Sequence, residues 1–275
     1  MTICIAAACD KGQKIVVAAD RMITAGAPLN FEFEPPLSKI EVLAKGCVAL
    51  ASGSLPFADQ IITEVRQQVS VDPPLSVSHV CEAVKQSYVA FRSRVVDDQI
   101  VLAALGKDYQ DWRSRGVPLP QYLGAQSGIY QAIVMRTEGY NLGLELLIAG
   151  IDGAGVNIAV IANPGQIVAL KKLGYAAIGS GAIHALSMFH LGGQDAQMSV
   201  AETLVNAYRA KCAAEVAPGV GRETDMAIVS ATETWPCPPA LTHGIKEVHK
   251  QYAQRERPDC GEVQKIYESE HGKTA

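Results

Sequence analysis

The chain opens on two apolar runs, Thr2 to Cys9 and Lys14 to Ala19, separated by the polar stretch Asp10-Lys11-Gly12-Gln13. Apolar residues at successive positions predict strands covered on both faces, and the short polar break predicts a hairpin. Ile40 to Ala44 and Cys47 to Ala51 repeat the arrangement around Lys45-Gly46. From Ser54 the period changes. Ile61, Ile62, Val65 and Val69 recur at helical spacing behind Ser54-Leu55-Pro56, where Ser can cap and Pro suits the first turn. A second helix is predicted from Val77 to about Leu102, with Val80, Val84, Tyr88 and Phe91 on one stripe. Both stripes suit a core better than a cofactor.

Residues 106–143 are polar, with Trp112, Pro118 and Pro120, and are expected to form an excursion from the main fold. Strand patterns resume at Leu144 to Ile151, Val156 to Ala162 and Ile167 to Lys171, with turns at Asp152-Gly153-Ala154-Gly155 and Asn163-Pro164-Gly165. Ala177-Ile178-Gly179-Ser180-Gly181 leads into a helix from about Ala182, and Ser199-Val200-Ala201-Glu202 is a capping box for another, running to about Val216. Met226 to Val229 reads as a last strand. Strands grouped with strands argue against a doubly wound parallel sheet. Two packed sheets with helices outside both would explain strands that are apolar on both faces. The domain is expected to span 1–233, and the Pro- and charge-rich 234–275, including Arg255-Glu256-Arg257, to be an appended, partly helical tail.

Composition narrows the function classes. With 48 % hydrophobic and 19 % charged residues the chain is globular, and its formal charge of −4 gives no reason to expect nucleic acid or an anionic membrane as partner. Seven cysteines without a C-x-x-C pair read as free thiols in a reducing compartment. No histidine pair has metal-ligand spacing, so neither a metal nor a cofactor is expected. The N-terminal run lacks a basic region, is interrupted by Asp10 and Lys11, and no stretch is long enough to span a bilayer. The expected location is cytoplasmic.

Thr2-Ile3-Cys4-Ile5-Ala6-Ala7, Val17-Ala18-Ala19-Asp20-Arg21, Thr24-Ala25-Gly26, Ser38-Lys39-Ile40 and Ala51-Ser52-Gly53 are followed by Ala58-Asp59. Further along come Ala149-Gly150-Ile151-Asp152, Ile178-Gly179-Ser180-Gly181 and Thr224-Asp225-Met226-Ala227-Ile228. In this order, over about 1–232, the fragments resemble a proteasome β-type subunit, with the bacterial proteasome-like types closest at the N-terminus. The resemblance implies an α+β, four-layer αββα sandwich, two antiparallel sheets between helix layers, of the N-terminal nucleophile hydrolase fold. It implies a homo-oligomer, ring or stacked, acting on a peptide or another amide. No ATPase-docking signal is visible.

A hydroxyl is a poor nucleophile at neutral pH and needs a base beside it, which an N-terminal Thr supplies as its own α-amine. That amine has an unperturbed pKa of about 7.7–8.0, and a nearby cation favours its neutral form. The resemblance makes Thr2 the nucleophile once Met1 is removed, Lys39 the cation and Asp20 the partner that orients it. It makes Gly53 an oxyanion donor through its backbone N–H, though Gly53 also suits a strand-to-helix turn. Ser180 matches a serine near the nucleophile, and equally a turn in Gly-Ser-Gly; no Lys-Ser/Thr follows to make a phosphate loop. One departure stands out. The family's Asp and Ser three residues later, before the last strand, are missing from Glu215 to Asp225, and Glu215 or Asp225 would have to replace them. The hairpin between Cys9 and Lys14 is a little longer than usual. A catalytically inactive assembly subunit and a small-molecule amidase are the alternatives.

Overall fold

A computed structural model describes residues 2–25, 31–69, 76–255 and 265; Met1, Gly26, Glu256 and Arg257 lie outside the described residues. The chain divides into two units, Met1–Cys237 and Pro238–Ala275. Strands of the first unit are β1 (Cys4–Cys9), β2 (Lys14–Asp20), β3 (Ile23–Ala25), β4 (Phe31–Phe33), β5 (Ile40–Ala44), β6 (Cys47–Gly53), β7 (Leu144–Asp152), β8 (Gly155–Ala162), β9 (Gln166–Ala169), β10 (Tyr175–Ile178), β11 (Thr224–Val229) and β12 (Thr234–Pro236). Its helices are α1 (Leu55–Gln68), α2 (Val77–Val96), α3 (Leu102–Leu105), α4 (Tyr109–Arg115), α5 (Leu119–Leu123), α6 (Gly128–Glu138), α7 (Ala182–Leu191) and α8 (Val200–Ala214). The second unit holds α9 (Pro239–Arg255).

The fold is mixed α/β with antiparallel sheets. One sheet runs β10-β1-β2-β11-β12, the other β5-β6-β7-β8-β9, and β3 pairs with β4 alone. Alternation along the strands explains why the apolar runs are continuous. Cys4, Ala6 and Ala8 of β1 share one apolar cluster with Val48 and Leu50 of β6 and Leu147 and Ala149 of β7, so the two sheets face one another. The intervening positions Ile5, Ala7 and Cys9 are equally buried, and α8 packs against β1 and β2. On the second sheet, Ala49, Ala51, Leu146 and Ile148 join Ile61, Val65, Val80 and Val84 of α1 and α2 in a separate cluster. Tyr88 of α2, fully buried, donates its hydroxyl proton to the Leu144 carbonyl at 2.9 Å. Tyr88→Phe is expected to cost about 1 kcal/mol, the net worth of one hydrogen bond, and to lower Tm by about 2–4 °C in a thermal melt.

The capping box forms as its sequence requires: Ser199 Oγ accepts from Glu202 N and Glu202 accepts from Ser199 N. Ser54 occupies the N-cap position of α1, but only its carbonyl bonds into the helix, to Ala58 N. Two other expectations change. The polar stretch 106–143 carries α4, α5 and α6 around a small satellite core of Val96, Ile100, Val101, Leu105, Tyr109 and Ile133. Pro118 and Pro120 stand at the start of α5, where a missing N–H costs nothing. Thr234 and Trp235, assigned to the tail, pair with Val229 and Ile228 and extend the first sheet, so the unit boundary falls at 237/238. Among the described residues no helix is long and apolar enough to cross a membrane.

Candidate active site

Thr2 lies two residues ahead of the start of β1 and is 2 % exposed. Antiparallel pairing of β1 with β2 runs Cys4 opposite Ala19, which brings the residue after Ala19 to the start of β1. There Asp20 N donates to the Ile3 carbonyl at 3.2 Å, and Ile3 N returns a bond to Asp20 Oδ1 at 3.0 Å. Asp20 also folds back on its own chain, its Oδ2 accepting from Met22 N at 3.1 Å in an Asx-type turn. β11 flanks β2 on the other side, with Thr224 opposite Asp20, and the loop before it sends Gly221 N to Oδ2 at 2.9 Å.

Lys39, just ahead of β5, reaches into this cluster with 5 % of its side chain exposed. Its ammonium donates to Thr2 Oγ1, to Asp20 Oδ1 at 2.9 Å and to the Met22 carbonyl at 2.6 Å. Three protons and three acceptors leave it no freedom. Thr2 Oγ1 in turn donates to Asp20 Oδ1. Buried charges are tolerable when they are paired and hydrogen-bonded, and here a carboxylate with no exposed surface faces an ammonium and three backbone N–H groups. The arrangement fixes the hydroxyl between one anion and one cation.

Thr2, Lys39 and Gly53 line one cleft of about 330 Å³ together with Ser54, Leu55 and Pro56 at the start of α1. Gly53 ends β6 with φ +110°, and a Cβ there would stand 1.8 Å from the Gly143 carbonyl oxygen, so the turn admits only glycine. A second pocket of about 230 Å³ shares Ile23, Lys39, Ala51 and Leu55 with the cleft and is floored by Ala58 and Ile62. Of the charges at its edge, Arg21 is paired with Asp225 and Glu41 with Arg66.

Ser180 stands apart from the hydroxyl. Its Oγ lies 3.5 Å from the Thr2 carbonyl oxygen, the outer limit of a hydrogen bond, and 3.2 Å from that of Pro218. Beside it, Gly179 has φ +99° and packs so closely on the Thr2 carbonyl that a Cβ would approach to 2.2 Å; its N–H is held by Glu145 at 3.2 Å. Cys4 is the other potential nucleophile nearby. Burial pushes its thiol up to about 12, with Asp20 and Glu145 adding to the effect against Lys39, so it stays protonated at neutral pH.

Thr2, Asp20 and Lys39 are thus in mutual contact, Gly53 borders the same cleft, and Ser180 touches only the main chain of Thr2. Glu215 and Asp225 do not reach Asp20: Glu215 pairs with Lys211 and Asp225 with Arg21. Met22 and Gly221, which sequence reasoning missed, act through backbone atoms that leave no side-chain signature. No protein-family model matches the chain, and no curated protein is significantly similar to it.

Proposed function

We propose that the protein is a threonine-type N-terminal nucleophile hydrolase that cleaves an amide bond, built as a four-layer αββα sandwich. The single observation that carries this reading is the contact of the Lys39 ammonium with Thr2 Oγ1, with Asp20 bonded to both. A structural threonine at the head of a strand needs no buried cation on its hydroxyl. A nucleophile does, because the cation lowers the cost of the alkoxide-like transition state.

In this mechanism Met1 is removed first, since an amide nitrogen cannot act as base. The freed α-amine takes the hydroxyl proton as Oγ1 attacks the substrate carbonyl carbon. Oxyanion charge develops towards the Gly53 N–H, Gly53 being one of the residues that line the cleft. The C–N bond breaks as the protonated amine gives its proton to the leaving nitrogen, and an ester remains on Thr2. Water, deprotonated by the same amine, attacks the ester and releases the acid. Asp20 fixes Lys39, and Ser180 holds the main chain of Thr2. A peptide segment is the favoured substrate, its side chain entering the apolar pocket of Ala51, Ala58 and Ile62 beside the cleft. Assembly into a homo-oligomer, ring or stacked, in the cytoplasm belongs to the same reading.

Intact mass and a peptidyl epoxyketone, which closes a ring through both the hydroxyl and the α-amine, test it together. The expected result is a chain lacking Met1 that carries one adduct on Thr2, and no adduct on Thr2→Ala. Retained Met1, or an unlabelled Thr2 in the processed chain, removes the proposal and favours an inactive assembly subunit. Labelling without hydrolysis of any peptide in a mixed library favours a small-molecule amidase.

A further inference from the structure

The Asp-x-x-Ser that the resemblance would place before β11 is missing, yet Asp20 receives support from that side through the backbone of Gly221. What holds that backbone is a buried charge on α8. Lys211 has no exposed surface, and its ammonium donates to Glu215 Oε1 at 2.6 Å and to the Arg222 carbonyl at 2.7 Å. A buried ammonium must be paired, so its position is set by these two acceptors. The Arg222 carbonyl belongs to the residue directly after Gly221. From the other side, the Glu34 carboxylate accepts from Glu223 N at 3.0 Å. The Arg222–Glu223 peptide is therefore held at both its carbonyl and its N–H, just beyond the residue whose N–H reaches Asp20.

We infer that the buried Lys211–Glu215 pair is a positioning device for the candidate active site: by gripping the Arg222 carbonyl it aims the Gly221 N–H at Asp20 Oδ2. It stands where side-chain support is lacking, and acts on Thr2 only through Gly221, Asp20 and Lys39. The consequence for reactivity rests on the hydrolase reading, whereas the link from Lys211 to Gly221 does not. The ionisable groups around Asp20 are Lys39 ahead of β5, Cys4 on β1 and Glu145 on β7, with Glu34 against Gly221. Lys211 itself faces Glu215 and Cys212. Apart from the altered pair, none of these changes in the variants below.

Lys211→Met keeps the apolar stem and removes the charge; Glu215→Gln removes the counter-charge at a side chain 28 % exposed, where folding is less at risk. Two readouts are taken on the full chain: hydrogen exchange of the Gly221 amide against those of β1 and β2, and the pH dependence of Thr2 labelling by the epoxyketone. In both variants the Gly221 amide is expected to exchange about tenfold faster with β1 and β2 unchanged. The acid limb of labelling, set by the Thr2 α-amine under the hydrolase reading, is expected to move up by about one pH unit, because an Asp20 that loses the Gly221 N–H no longer holds the Lys39 ammonium where it favours the neutral amine. Gly221 exchange within about twofold of wild type in the variants that fold overturns the inference, and Glu215→Gln decides alone if Lys211→Met does not fold. Faster exchange with an unmoved acid limb reduces the pair to a structural tie and overturns the positioning role. A wild type that is never labelled overturns the hydrolase reading instead, leaving the exchange result to judge the link.

Discussion

Lys39→Met is expected to slow epoxyketone labelling of Thr2 by about a thousandfold or more, the scale seen when one member of a cooperating catalytic group is removed. The ammonium makes three bonds, to the hydroxyl, to Asp20 and to the Met22 carbonyl, and methionine makes none of them. Asp20 would then be a buried carboxylate without a counter-charge, a change that typically costs about 3–5 kcal/mol. Its bonds from Ile3, Met22 and Gly221 remain, which favours the lower end of that range. Lys39→Arg is expected to fail as well, because a planar guanidinium cannot place its donors on three acceptors grouped around a single nitrogen. Labelling rates by mass spectrometry, with a thermal melt on each variant, separate lost chemistry from lost fold. A folded Lys39→Met chain labelled within about tenfold of wild type would remove Lys39 from the mechanism.

The second large effect is expected at Gly179. Alanine there combines a left-handed backbone, φ +99°, with a Cβ placed 2.2 Å from the Thr2 carbonyl oxygen and 2.8 Å from Ser52 Oγ. Left-handed strain of about 1–2 kcal/mol and overpacking of about 1–3 kcal/mol together give roughly 2–5 kcal/mol. For a chain of this size that lowers Tm by roughly 4–20 °C. Relief can come only by moving the Thr2 main chain, so labelling should fall further than the melt alone accounts for. Gly153 is the control: a Cβ there meets nothing within 4 Å, and Gly153→Ala should change neither readout. Equal effects at the two positions would sink the argument.

Long apolar runs made the central strands legible in the sequence, because β1, β2, β6 and β7 are buried on both faces and carry their polar residues, Glu145 among them, only near the strand ends. α1 and α2 followed from helical spacing, α8 from its capping box, and α7 from the glycine turn that precedes it. The short edge elements did not. β12 has only three residues, and Trp235 within it is exposed, so it lacks a burial pattern; it exists because β11 offers it an edge. α4 to α6 bury a few residues each around a satellite core, too few for a periodic signal. At the site, Thr2, Asp20 and Lys39 were legible because they meet through their side chains. Gly221, Met22 and the role of Lys211 were not, since they depend on which backbone atom comes to rest beside Asp20, and only the register of β2 with β11 decides that.

Asp20 collects its partners from residues 2 and 3, 22, 39 and 221. A chain is made from its N-terminus, so the hydroxyl and the carboxylate emerge first and the amide of Gly221 emerges only near the end of the first unit. Non-local closure of this kind is the slow part of folding. Under the hydrolase reading, the chemistry at the front of the chain is gated by its own completion. A truncated product ending before Gly221 would carry the nucleophile but not the finished carboxylate cradle, and so would be spared from acting on its neighbours during synthesis.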